Sequence, residues 1–89
     1  MSRWSISFEP GADRDIQRLS SADRGRVLRY LAERVAVLDD PRQLGKALKA
    51  NFAGAWRYRV GDIRVIARIE YDRVVVVVLA VGHRGDVYR

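Results

Sequence analysis

The chain has 89 residues, 48% hydrophobic and 31% charged, with one histidine and no cysteine. That size fits a single domain with one core, residues 1–89, and excludes a second. It also excludes a disulfide scaffold, a thiolate metal site and a histidine cluster, so no metal or other cofactor is expected. The formal charge of +6 is unevenly placed: residues 1–41 hold 7 basic and 7 acidic side chains, residues 42–89 hold 10 basic and 4 acidic. A one-sided excess is the electrostatic footprint of a polyanion-binding surface, most often for nucleic acid. Codon bias could account for arginine making up 15 of the 17 basic residues, but not for their sorting to one half. Residues 1–11 have no continuous apolar stretch like a signal peptide, and the longest apolar run, residues 74–81, is too short to span a bilayer. The expected setting is the cytoplasm, away from membranes.

Residues 3–9 alternate with period two, which predicts a strand with Trp4, Ile6 and Phe8 on one face. Pro10 suits the first turn of a helix, and Ala12, Ile16 and Leu19 give that helix a narrow apolar stripe. Ser20 reads as the N-cap of a second helix, with Asp23 in its first turn. This helix is expected to run to about residue 38, with Val27, Leu28, Leu31, Val35 and Leu38 on one face. Its other face carries Arg26, Arg29, Glu33 and Arg34 and reads as a solvated side. Asp39-Asp40-Pro41 ends it.

After a polar connection with a short helical turn around residues 43–49, three strands are legible at 55–60, 63–70 and 73–81. Gly61-Asp62 is a two-residue hairpin turn, because both residues tolerate the positive φ such turns require. A second tight connection falls at Tyr71-Asp72. The run VVVVVLAV is apolar on both faces and is expected to be the most buried, central strand of the three. The order β-α-α-β-β-β predicts an α+β domain: two N-terminal helices packed on a mainly antiparallel four-stranded sheet.

The hairpin register carries the functional argument. With Gly61-Asp62 as the turn, Arg59 faces Arg64 and Arg57 faces Ile66, while Trp56, Tyr58 and Val60 point the other way. Arg57, Arg59 and Arg64 then share one sheet face. Like charges at facing positions destabilise a sheet by a few tenths to about 1 kcal/mol, and a bound anion would reverse the sign of that effect. Arginine suits bidentate phosphate contacts better than lysine. Lys49 and Arg68 extend the candidate phosphate-binding set. The segment after the last strand adds His83, Arg84 and Tyr88 beside this face. RNA cleavage through a 2′-OH needs a base, an acid for the departing 5′ oxygen and positive charge on the phosphate. The arginines would also favour the ionised form of a nearby tyrosine.

The block WRYRVGDIRVIARIEYDRVVVVVLAVGHRGDVYR, with the GKALK segment before it, resembles the RelE/ParE superfamily of toxin–antitoxin toxins. The resemblance covers nearly the whole chain. Its most specific part pairs a (W/Y)-R-x-R-x-G-x-x-R hairpin with V-G-H-R-x-x-x-Y. Membership of the RelE branch would imply a ribosome-dependent mRNA interferase that cuts mRNA in the ribosomal A site by 2′-oxygen attack, without a metal. It would also imply a cognate antitoxin that neutralises the toxin. By that resemblance Arg57, Arg59 and Arg64 hold the scissile phosphate. Arg84 stabilises or protonates the leaving oxygen, and Tyr88 positions the base or acts as general base. Positions 57, 59 and 83 carry arginine or histidine where the best-known branch has lysine, which leaves the acid and base roles open among His83, Arg84 and Tyr88. A ParE-like DNA gyrase inhibitor and a non-catalytic nucleic-acid-binding module are the competing readings.

Overall fold

A computed structural model describes residues 3–83 of the chain. Strand β1 (Ser5–Phe8) leads into helix α1 (Pro10–Arg18), which Pro10 opens and in which Ala12 and Ile16 are buried. The two helices meet at a sharp corner. Ser20 Oγ accepts from the Asp23 amide at 3.1 Å and so caps helix α2 (Ser21–Tyr30). Arg24 reaches back to donate to the carbonyls of Ile16, Gln17 and Leu19 at 3.1–3.3 Å, satisfying the carbonyls at the end of α1.

Helix α2 is shorter than its apolar pattern predicts. It passes at Leu31 into a π-helical turn, Leu31–Val35, and the chain then loops to Pro41. The expected stripe is only partly buried: Val27, Leu31 and Val35 are buried, Leu38 is half-buried, and Leu28 is 40% exposed. The helical turn expected at 43–49 falls earlier, as a 3-10 turn at Pro41–Leu44. Strand β2 (Lys46–Ala47) follows it, and a second 3-10 turn covers Ala50–Phe52.

Strands β3 (Trp56–Val60), β4 (Ile63–Glu70) and β5 (Val75–His83) complete the sheet. The sheet has five strands rather than four, in the order β1-β5-β4-β3-β2, because Lys46–Ala47 adds a short edge strand against β3. β1 runs parallel to β5 and every other pairing is antiparallel. β4, not the valine-rich β5, is the middle strand of this order; β5 lies between β4 and β1, and β1 pairs with only its first four residues. Beyond them, Asp15 of α1 supplies an acceptor, its Oδ2 lying 2.9 Å from the Val81 amide. The β3–β4 hairpin turns at Gly61-Asp62 as expected, with Gly61 at φ 61°. The β4–β5 connection is longer than expected, spanning residues 71–74 and placing Val74 at φ 55°.

Both helices pack on the face formed by Tyr58, Val60, Ile63, Val65, Ala67, Val76, Val78 and Val81. Tyr58 is fully buried and its hydroxyl donates to the Pro41 carbonyl at 2.7 Å, tying the connection to the sheet. Burial pushes the Tyr58 hydroxyl pKa well up, so it remains a donor at any physiological pH. Tyr58→Phe leaves that carbonyl without its donor and is expected to cost about 1–2 kcal/mol in a denaturant melt. An unchanged midpoint would mean that water replaces the hydroxyl. Among the described residues, no helix is long and apolar enough to cross a membrane.

Candidate phosphate-binding face

The face of the sheet turned away from the helices carries the arginines. The β3–β4 register puts Arg59 directly opposite Arg64 and Arg57 opposite Ile66, as the turn chemistry predicts. Side chains alternate along a strand, so all three point away from the core that holds Tyr58, Val60, Ile63 and Val65. Arg64 pairs on its other side with Gly82, which has no side chain to fill the ground beside the guanidinium. Arg59 is exposed, Arg57 half-buried, and Arg64 only 5% exposed.

Two details make this face a candidate anion site. Among the described residues, no carboxylate lies within ion-pair distance of Arg57 or Arg59. The buried Nε of Arg57 also has no hydrogen-bond partner among them. A buried donor left unmade is rare, and a phosphate oxygen would satisfy it. Lys46, which the sequence reading missed, lies opposite Arg57 on β2 and adds another cation. A two-residue edge strand leaves no periodicity by which to find it.

The remaining candidates are placed differently. Arg68 shares the arginine face by alternation, but it donates to Glu70 at 3.0 Å and lies 3.6 Å from Glu9. Glu70 also holds Arg73 at 2.9 Å, and the Arg68 and Arg73 hydrogen bonds keep its carboxyl below the usual carboxylate range. Arg68 therefore already has its counter-charge. Lys49 is exposed and precedes the Ala50–Phe52 turn, on the connection between β2 and β3.

His83 departs from the expectation that it sits beside the arginines. It pairs with Ile63, a core residue, so its ring projects on the helix side, with Nε2 3.9 Å from Asp23 Oδ2. The reason is a β-bulge: Ile66 pairs with Ala80 but Ala67 with Val78, so Leu79 is an extra residue in β5. Arg84 and Tyr88 lie outside the described residues. No three His, Cys, Asp or Glu side chains among the described residues are grouped to hold a metal ion.

This geometry defines a small α+β domain with one sheet face buried under helices and the other lined with arginines suited to phosphate. The comparisons with known proteins narrow that class. Residues 6–88 match the family model described as ParE toxin of type II toxin–antitoxin system, parDE. Toxin RelG of Mycobacterium tuberculosis is 30% identical over 86 residues, with 97% of each chain covered. The solved RelBE2 toxin–antitoxin complex of the same organism contains a chain that is 29% identical, with a TM-score of 0.85 and 97% of each chain covered. The intact RelBE complex of Escherichia coli shares the fold, at 22% identity and a TM-score of 0.70, over 90% of this chain and 95% of that one. The chain belongs to the RelE/ParE superfamily of type II toxin–antitoxin toxins.

Proposed function

We propose that the protein is an endoribonuclease that cuts mRNA in the ribosomal A site and so blocks translation. The observation that carries this reading is the arginine row itself: Arg59 faces Arg64, with Arg57 beside them and its Nε unpaired among the described residues. In the proposed reaction the 2′ oxygen attacks the adjacent phosphorus and the bond to the 5′ oxygen breaks. The products are a 2′,3′-cyclic phosphate and a free 5′-OH. Charge builds on the phosphate oxygens in the transition state, where preorganised guanidinium donors act most strongly. Tyr88 positions the base or itself takes the proton from the 2′-OH, and Arg84 stabilises or protonates the departing 5′ oxygen. His83, held on the other face near Asp23, fits a positioning role at the end of β5. The arginines supply the positive charge that a metal ion supplies in other nucleases, so the reaction is proposed to be metal-independent.

A cognate antitoxin is part of the proposal, since the solved relatives RelBE2 and RelBE are toxin–antitoxin complexes. A net charge of +6 suits an acidic partner segment. The test is to induce the protein in a bacterial host and map mRNA ends. Codon-phased cuts within translated frames that vanish when translation is blocked are the expected result. Growth arrest with intact mRNA and altered DNA supercoiling would overturn the reading in favour of gyrase inhibition.

A further inference from the structure

The second helix carries a basic flank that the arginine face does not account for. Arg26, Arg29, Tyr30, Glu33 and Arg34 recur at spacings of three and four residues, so they lie along one side of α2 and the π-helical turn that follows it. With Val60 at the end of β3 they line an open groove of about 300 Å³ between the helix and the β3–β4 hairpin. Three guanidinium groups stand there against one carboxylate.

The groove walls are held in place. A Cβ on Gly61 would come within 2.5 Å of Arg26 Nη2, so the glycine turn lets this guanidinium lie directly against the hairpin backbone. Arg26 is fixed from the other side by Asp23 at 3.4 Å. Arg34 lies over the Tyr30 ring, 6.0 Å from its centroid. Arg29 and Arg34 have no ion-pair partner among the described residues, so their charge is available to a ligand.

We infer that this groove is a second nucleic-acid site, which takes the sugar-phosphate backbone of a folded RNA rather than the strand to be cut. Arg26 and Arg29, three residues apart, stand about 5–6 Å from each other at their Cβ atoms, close to the spacing of successive phosphates along one strand, and Arg34 continues the row beyond Tyr30. Planar guanidinium forks match phosphate oxygens in pairs, and an aromatic ring beside them is a surface on which a base can stack. The groove lies on the helix side of the sheet and Arg57, Arg59 and Arg64 on the other. One flexible strand would have to turn around the hairpin to reach both. A structured RNA that surrounds the domain presents backbone to both sides at once. The mRNA-cleavage reading supplies only the identity of that RNA, which would be ribosomal.

The test uses the full chain, a fluorescent RNA hairpin titrated over a range of salt, and cleavage of a reporter mRNA in a translating extract measured in parallel. Arg29→Gln with Arg34→Gln is expected to weaken hairpin binding about tenfold and to reduce the slope of log affinity against log salt by about two, one phosphate contact per arginine. Arg29→Lys with Arg34→Lys should recover most of both. Unchanged hairpin affinity and slope in the glutamine variant would overturn the inference. So would loss of binding to the cognate antitoxin with hairpin binding intact, which would make the groove a protein interface. Tighter binding of the wild-type chain to a DNA hairpin of the same sequence would also overturn it. Failure of the wild-type chain to cut mRNA sinks the cleavage reading alone, because the groove is judged on the hairpin titration.

Discussion

Replacing Arg59 with glutamine is expected to remove most mRNA cleavage while leaving the fold at least as stable. Arg59 is exposed and stands directly across the strand pair from Arg64, which is almost fully buried. Like charges facing across a strand pair cost a few tenths to about 1 kcal/mol, so neutralising exposed Arg59 should leave the sheet as stable as before or slightly more so. With a phosphate in place the same guanidinium becomes a donor to developing charge, and its loss should lower the cleavage rate on the order of 100-fold. Arg59→Lys keeps the charge but loses the two-pronged geometry and is expected to fall in between. Thermal melts and a cleavage assay in a translating extract separate the two effects. Activity and stability falling together would assign Arg59 a structural role, and full activity in the glutamine variant would move the phosphate elsewhere.

The opposing signs in that experiment explain why the arginine face was legible in the sequence. The Gly61-Asp62 turn fixes the register, the register places Arg59 on Arg64, and a stability-only account gives no reason to put them there. The parts that were not legible have equally physical causes. Following β5 along the sequence leads to His83 as a neighbour of the arginines, but neighbouring on a strand requires a count of which residues face each side. The run from Val74 to Val81 is apolar on both faces, so nothing in it marks Leu79 as the bulge that sets Val81 and His83 on the helix side. Arg68 has the right parity, but Glu70 and Glu9 hold it, and Glu9 comes from β1's end of the chain, far away in sequence. Lys46 was missed for the opposite reason, since two residues are too few to show a period. The centre of the sheet was misread because hydrophobicity reports burial and not strand order. β5 is as apolar as a central strand because α1 covers it beyond the end of β1, with Asp15 meeting the Val81 amide.

Helix α2 offers the sharpest test of that distinction between pattern and packing. Leu28 and Leu31 are equivalent by helical periodicity, since both belong to the stripe that continues through Val35 and Leu38. In the fold they are not: Leu31 is 1% exposed within the core and Leu28 is 40% exposed. Within the α-helical turn from Val27 to Leu31, those two residues stack four apart on the buried side, in line with Val35, while Leu28 falls at the edge of the stripe. Leu31→Ala is therefore expected to cost about 2–5 kcal/mol, from lost transfer energy and an unfilled cavity. Against a total of about 5–15 kcal/mol for a domain, that would leave a substantial unfolded fraction and a sharp drop in toxicity through reduced abundance. Leu28→Ala, at a partly exposed position, is expected to cost no more than about 1 kcal/mol. Urea unfolding of the two variants measures the contrast. Equal losses would mean that α2 packs with a different face than the one described, and the basic flank bearing Arg26, Arg29 and Arg34 would turn with it.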